Sequence, residues 1–232
     1  MVLTRLSDKR VIEVAGFQHG LDFGGSQDGL TQDYVVEPSA KNPISPPVTW
    51  IKGFLSAKQQ QLLLNEVNQY PLERVSIEVY GKQHLTPRTQ VWFGDPGCDY
   101  HYSKLHITAL PWPRVLSRLR AKLLNDHQID TNSVLVNRYA DGHDCMGWHS
   151  DDEPEIVSGS AIASVTLGAC RDFVVRHKNT KIKVNFALGS GDLLIMHPSM
   201  QQDWQHALPK RLKVVEPRIN FTFRQIIPNY YG

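Results

Sequence analysis

The sequence predicts an α+β, mainly β fold: a double-stranded β-helix, or jelly roll, with helices packed on one sheet. Three observations predict it. From Val134 onward the chain is a succession of short runs rich in β-branched and alternating residues, which suit a pleated, half-buried surface. Turn residues separate those runs, at Asp141-Gly142, Gly168, Lys178-Asn179 and Gly189-Ser190-Gly191. Two helix-period segments come first, and many short strands after two helices suit two packed sheets covered on one side.

Taken in order, residues 1–47 are rich in Gly, Ser, Asp and Gln and close on Asn42-Pro43-Ile44-Ser45-Pro46-Pro47. They read as an N-terminal arm, incompletely ordered, with one short strand over 10–14. Residues 48–232 read as one domain without internal repeats. Ser56-Ala57-Lys58-Gln59 has the pattern of a capping box, and Leu62, Leu63, Glu66 and Val67 continue a helix that Pro71 stops. A second helix is expected over 113–125, with Trp112, Val115, Leu116, Leu119 and Leu123 as its apolar stripe. Arg114, Arg118, Arg120 and Lys122 sit mostly on its other side, the ordinary pattern of a solvated face. Strands are expected over 134–139, 161–167, 172–177, 182–188, 192–197 and 214–225.

Composition narrows the class. The 232 residues carry a net charge of only +2, with 41% hydrophobic and 21% charged residues, so a nucleic-acid surface must be local. Three cysteines, Cys98, Cys145 and Cys170, are an odd number without a Cys-x-x-Cys pair. That argues against a disulfide framework or a cysteine zinc site and fits a reducing compartment. No apolar run approaches the roughly 20 residues of a membrane span, and no signal-peptide core opens the chain. An intracellular protein with no membrane role is expected. With no nuclear-type basic cluster, a bacterial cytoplasm is favoured over a nucleus.

The chemistry is concentrated in His149, Asp151 and His206. Two imidazoles and a carboxylate can occupy one face of a six-coordinate metal and leave the other face open, as in non-haem Fe(II) oxygenases. On a strand, His149 and Asp151 would share a side because the side-chain period is two. A lone His-x-Asp is ordinarily a pair of satisfied polar residues, and zinc accepts the same ligands. The segment Pro217-Arg218-Ile219-Asn220-Phe221-Thr222-Phe223-Arg224 shifts the balance toward iron. Arg218, Asn220, Thr222 and Arg224 alternate with apolar residues, so one strand face carries two guanidinium groups, an amide and a hydroxyl. Arginines facing into a fold need anions, and a dicarboxylate suits their planar forks.

Asn137-Arg138-Tyr139, His149-x-Asp151, the run from Ser160 to Gly168, His206 and Arg218-x-Asn220-x-Thr222-x-Arg224 follow one another as in the AlkB family, which this chain resembles from about Thr49 to Ile227. That family comprises Fe(II)- and 2-oxoglutarate-dependent dioxygenases that demethylate nucleobases. Gly168-Ala169-Cys170-Arg171-Asp172-Phe173-Val174-Val175-Arg176-His177 is similar to the duplex-DNA-repairing homologues in particular. The resemblance implies iron at His149, Asp151 and His206. It implies a 2-oxoglutarate cage of Asn137, Tyr139, Arg218, Asn220, Thr222 and Arg224, with Arg218 on the distal carboxylate. With O2, 2-oxoglutarate would be decarboxylated to succinate and the N-methyl carbon hydroxylated, leaving as formaldehyde.

The resemblance also implies a nucleotide-recognition lid over about residues 75–105. Tyr80, beside Lys82, falls where the relatives carry an intercalating finger, with Tyr in place of the expected Phe. Tyr102 would stack on the flipped base opposite His149, Tyr100 would form the pocket wall, and Asp152 would meet the cationic base. Arg88 would reach the pocket or the backbone. Lys210, Arg211 and Lys213 would bind phosphates of the other strand, although Leu212 interrupts the expected basic triplet. The expected partner is DNA with alkylated bases, single- or double-stranded, met by a monomer. The same chemistry on RNA or tRNA bases, and a non-catalytic jelly-roll binding module, remain open at this point.

Overall fold

The alternation that suggested an inward arginine strand also builds the molecule's two layers. The computed structural model describes residues 32–35, 44–79, 81–102 and 105–231. Strands β1 (Gln32–Val35) and β2 (Val48–Lys52) come first, then helix α1 (Ala57–Val67). A hairpin of β3 (Ser76–Val79) and β4 (Lys82–Leu85) precedes β5 (Thr89–Gly94). A second hairpin, β6 (Tyr100–Tyr102) with β7 (Leu105–Ile107), leads to helix α2 (Arg114–His127). Next come β8 (Ser133–Tyr139), β9 (Met146–His149), β10 (Ile162–Gly168), β11 (Arg171–His177), β12 (Lys183–Leu188) and β13 (Leu193–Met196). A four-residue helix α3 (Met200–Asp203), β14 (Trp204–Leu208) and β15 (Arg218–Arg224) complete the set.

The strands form a seven-stranded major sheet, β1-β2-β13-β10-β15-β8-β5, and a four-stranded minor sheet, β12-β11-β14-β9. Each pairing within both sheets is antiparallel, the arrangement of a jelly roll. One face of the major sheet packs on α1 and α2: Val134, Val136, Val165, Ile195, Ile219, Phe221 and Phe223 meet Leu63, Val67, Leu116, Leu119 and Leu123. Its other face meets the minor sheet through Ile162, Leu194 and Met196 against Phe173, Val175, Phe186 and Trp204. With period two, the residues between those on β15 point into the space between the sheets. That space holds the site.

Local signals explain most element ends. Ser56 caps α1 with a reciprocal Ser56–Gln59 capping box. Pro113 is the N-cap of α2, and Gln128 ends it in the left-handed conformation at φ 57°. The six strands expected after Val134 are β8, β10, β11, β12, β13 and β15, most ends within one residue. The exception is the start of β15, because Pro217 has no N–H to give to a ladder. Gly168 turns β10 into β11 at φ +83°, where a Cβ would sit 2.3 Å from the Pro217 carbonyl oxygen.

Three expectations need adjusting. Gln32–Val35, inside the segment read as an arm, pairs with β2 and extends the major sheet, while the strand expected over 10–14 lies outside the described residues. β9 and β14 escape a propensity reading, because Met-Gly-Trp-His and Trp-Gln-His-Ala-Leu contain no β-branched residue. β9 also ends at His149, so Asp151 does not share a strand with it. No helix among the described residues is long and apolar enough to cross a membrane.

Phe221 is fully buried where the major sheet meets the helices. Phe221→Ala is expected to cost about 3–5 kcal/mol, read as a lower urea midpoint with an unchanged slope.

Candidate active site

His149 and His206 are direct cross-strand partners on β9 and β14, which puts their rings 4.2 Å apart between centroids. Asp151 reaches the same point by a different route from the one the His-x-Asp spacing suggests. It follows the strand in an irregular segment, where its N–H donates to Gln201 Oε1 at 2.9 Å and Ser150 Oγ donates to the Trp204 carbonyl. Arg224 then fixes the side chain: its Nη2 donates to Asp151 Oδ2 at 2.7 Å. Asp151 Oδ1 is left facing the histidines, 3.5 Å from His149 Nε2 and 3.7 Å from His206 Nε2.

This donor set fits a divalent metal. The three ligand atoms lie within 4.8 Å of one another. Neighbouring positions on an octahedron with ligand distances of roughly 2.1 Å are about 3 Å apart, so small side-chain shifts would close the set. His149 Nδ1 lies 2.9 Å from the Gly147 carbonyl. A carbonyl only accepts, so Nδ1 carries the proton and Nε2 keeps its lone pair for the metal. Burial pushes the His206 imidazole down to about 3, with His149 pushing the same way and Asp151 opposing, so it is neutral as a ligand must be. For Asp151, burial pushes upward, but Arg224, His206 and His149 outweigh it and hold the carboxyl well below the usual range.

The triad residues themselves line a narrow inner chamber of about 40 Å³, together with Asn137, Tyr139, Arg218, Asn220, Thr222 and Arg224. All six residues expected to cage the co-substrate are therefore brought together, by registers that set Arg218 beside Tyr139 and Asn220 beside Asn137. The Asn220 side-chain carbonyl is the hub. It accepts from Arg218 Nη2 at 2.8 Å, Ser164 Oγ at 3.0 Å and Thr166 Oγ1 at 3.4 Å. Arg218 also donates to Thr166 Oγ1 at 2.9 Å. Ser164 and Thr166 lie in the Ser160–Gly168 run but are not among the six expected cage residues, though they alternate on β10 as the arginine strand does.

Arg218 is 2% exposed, and among the described residues no carboxylate lies at ion-pair distance from it. Its Nε has no partner, and burial pushes its guanidinium down to about 10. A buried cation so placed demands an anion. Arg224 is different: Asp151 already occupies Nη2, while Nε and Nη1 remain unpartnered. The carboxylate that pairs with it is a metal-ligand candidate rather than a neighbouring core acid. Asn137 is also partly engaged, because its Oδ1 accepts from Arg88 Nε at 2.9 Å.

Bordering the triad as well is a wider outer chamber of about 230 Å³, bounded by Arg88, Gln90, Tyr100, Trp148, Glu153 and the triad residues His149 and Asp151. Arg88 and Tyr100 line it as expected. Tyr100 stacks on Trp92 at 4.6 Å and donates its hydroxyl to Glu153 Oε1 at 2.7 Å. Asp152 does not line it. It is exposed and lies 3.8 Å from Lys178 Nζ, because the chain turns its side chain outward between two inward carboxylates. Glu153, not singled out in the sequence, is the second inward acid, and its Oε2 is buried without a partner.

Of the remaining expected contacts, those with described side chains line neither chamber. Lys82 is exposed on the β3–β4 hairpin, Tyr80 lies outside the described residues, and Tyr102 ends β6 with its side chain outside them. Lys210, Arg211 and Lys213 are exposed on the loop between β14 and β15, and Arg211 is tied to Asp172. Gly142 pins that loop. Its N–H donates to the Val214 carbonyl, its own carbonyl accepts from Arg211 N–H, and a Cβ would sit 1.7 Å from the Arg211 oxygen.

Burial raises the Glu153 carboxyl above its ordinary 4.5, with Arg224 opposing and Asp151 adding to the rise. Its contribution to stability is thus fully present below the unfolded value and is lost as pH rises through the raised folded one. Glu153→Gln is expected to gain melting temperature relative to the native protein as pH goes from 4 to 7. A gap that stays constant over that range would show that Glu153 ionises freely.

Comparison with known proteins agrees with this geometry. A family model described as the 2OG-Fe(II) oxygenase superfamily matches residues 47–224. The chain is 44% identical over 174 residues to mouse DNA oxidative demethylase ALKBH2, covering 72% of this chain and 73% of the relative. The human ALKBH2 protein is 43% identical over 175 residues, covering 72% and 67% respectively. Mouse alpha-ketoglutarate-dependent dioxygenase alkB homolog 3 is 38% identical over 156 residues, covering 63% of this chain and 54% of the relative, so only about half of that protein is matched. The solved structure of OsALKBH1 superposes with a TM-score of 0.59 at 16% identity, covering 78% of this chain and 98% of that one, a likeness of fold. Because the family match runs across both sheets and contains the triad together with the inward face of β15, the chain belongs to the 2OG-Fe(II) oxygenase superfamily.

Proposed function

We propose that this chain is an oxidative DNA demethylase that removes methyl groups from the ring nitrogens of alkylated bases, 1-methyladenine and 3-methylcytosine. The observation that carries the reading is Arg218, a buried cation without a carboxylate partner in a narrow chamber beside a three-ligand metal set. Relatives named DNA oxidative demethylase, at 43–44% identity, support DNA as the substrate.

As a 2OG-Fe(II) oxygenase, the enzyme uses Fe(II), 2-oxoglutarate and O2. Together these convert 2-oxoglutarate to succinate and CO2 and hydroxylate the methyl carbon, which departs as formaldehyde. In this reading His149, Asp151 and His206 hold the iron. Arg218, supported by Asn220 and Thr166, takes the distal carboxylate, with Tyr139, Asn137 and Thr222 completing the cage. Arg224 has two tasks: it orients Asp151 and offers its unpartnered Nε and Nη1 to the co-substrate. The outer chamber takes a base flipped from its stack. Tyr100 and Arg88 line that chamber, and the inward carboxylates suit a cationic methylated ring better than a neutral one. Tyr102 stacks on the flipped base.

Tyr80 wedges into the gap left by the flipped base, and Lys82, Lys210, Arg211 and Lys213 meet phosphates, with Asp152 at the rim. The chain acts as a monomer on single- or double-stranded DNA, with RNA the alternative substrate. Three free cysteines suit a reducing intracellular compartment. The relatives named above come from mouse and human, which lends no support to the bacterial side of that expectation.

The test is mass spectrometry of matched single- and double-stranded oligonucleotides carrying 1-methyladenine or 3-methylcytosine, incubated with Fe(II), 2-oxoglutarate, ascorbate and air. Loss of one methyl group, abolished by an iron chelator, is expected. Consumption of 2-oxoglutarate with no methyl loss would move the substrate to RNA, and no turnover of either would restore the binding-module alternative. Arg218→Gln is expected to raise the KM for 2-oxoglutarate roughly tenfold or more while leaving metal affinity unchanged in a Co(II) titration. Unchanged KM would remove Arg218 from the cage.

A further inference from the structure

Trp148 is the residue that neither the metal set nor the co-substrate cage accounts for. It precedes His149 on β9, so alternation turns it toward the outer face of the minor sheet while His149 faces the triad. It is 36% exposed, whereas the other four tryptophans are buried or half-buried, and it borders the outer chamber. The Arg176 guanidinium lies 4.2 Å from the centroid of its ring, and Lys183 Nζ lies 5.8 Å from it.

Among the described residues these two cations have no acid to neutralise them, and Arg176 is held in place. Arg176 Nη2 donates to Gln205 Oε1 at 2.8 Å, which fixes the guanidinium, and its Nε is buried without a partner. The acids nearby are engaged elsewhere. Asp172 holds Arg211 and accepts from Asn185, and Asp152 faces Lys178. Among the described residues, no carboxylate lies at ion-pair distance from Arg176 or Lys183. An exposed indole with two cations beside it that no acid neutralises has the composition of a platform for single-stranded nucleic acid, where bases stack and phosphates meet positive charge.

We propose that Trp148, Arg176 and Lys183 form a stacking and phosphate site for the nucleotide next to the target in the same DNA strand. The inference rests on the demethylase reading, since a strand that delivers a base to the outer chamber must cross its border. Trp148 is part of that border. The neighbouring base offers its face to the indole only when it is unpaired and unstacked, so the site favours single strands or locally opened duplex.

The test is fluorescence anisotropy of a labelled, unmodified oligothymidylate with the full chain, alongside demethylation of a single-stranded 1-methyladenine oligonucleotide. Trp148→Ala is expected to weaken oligothymidylate binding about tenfold, and Trp148→Phe, which keeps an aromatic face, much less. Lys183→Gln is expected to flatten the dependence of log affinity on log salt by about 0.7, the loss of one phosphate contact to a single strand. Native affinity in Trp148→Ala would overturn the inference while leaving the demethylase reading intact if the native protein still removes the methyl group. If the native protein demethylates nothing, yet Trp148→Ala still loses oligothymidylate, the platform stands and the proposed reaction falls. No binding of oligothymidylate by the native protein overturns the platform.

Discussion

The ion pair between Arg224 and Asp151 joins the two sheets at the point where the chemistry would occur. Arg224 comes from the major sheet, and Asp151 from the segment that leaves the minor sheet after β9. Both side chains are almost completely buried. Removing one partner from such a pair leaves the other as an uncompensated buried charge, which typically costs about 3–5 kcal/mol. The pair also fixes function. With Oδ2 committed to Arg224, only Oδ1 faces the two imidazoles, so a core contact sets the direction of a metal-ligand candidate.

The pair also separates two kinds of arginine on one strand face. Arg224 has its counterion within the protein, and Arg218, six residues earlier and on the same face, has none among the described residues. Asn220 between them accepts three hydrogen bonds and passes its own N–H to Thr222 Oγ1 at 2.9 Å. The result is a rigid polar floor that is satisfied internally except at the guanidinium edges. A floor built this way discriminates by charge, because a neutral ligand would leave Arg218 buried and uncompensated.

The chambers meet at the triad and differ in what they exclude. The narrow inner one is lined by basic and amide groups, and the wider outer one by Tyr100, Glu153 and Gln90 beside Arg88. Co-substrate and substrate would thus approach the metal from different environments, the inner one with an unneutralised arginine and the outer one with acids and arginines mixed. Arg88 connects them through its hydrogen bond to Asn137, so a shift on the substrate side has a direct path to the co-substrate floor.

Period-two alternation determined much of this from the sequence alone. It put Arg218, Asn220, Thr222 and Arg224 on one face, and Ile219, Phe221 and Phe223 on the other, whatever the neighbours. Local signals fixed the Ser56–Gln59 cap and the end of α1 ahead of Pro71 for the same reason: their physics reaches only three or four residues along the chain. Tertiary structure decided the rest. Asp151 joins His149 through Gln201 and Arg224, distant in sequence, and not through the strand alternation that the His-x-Asp spacing suggested. Asp152 and Glu153 are neighbours of like chemistry, and only the turn of the backbone beyond β9 sends one to solvent and the other into the outer chamber. Which arginine finds a carboxylate and which does not is a matter of cross-strand register and sheet packing, and these exist only once the two sheets have closed.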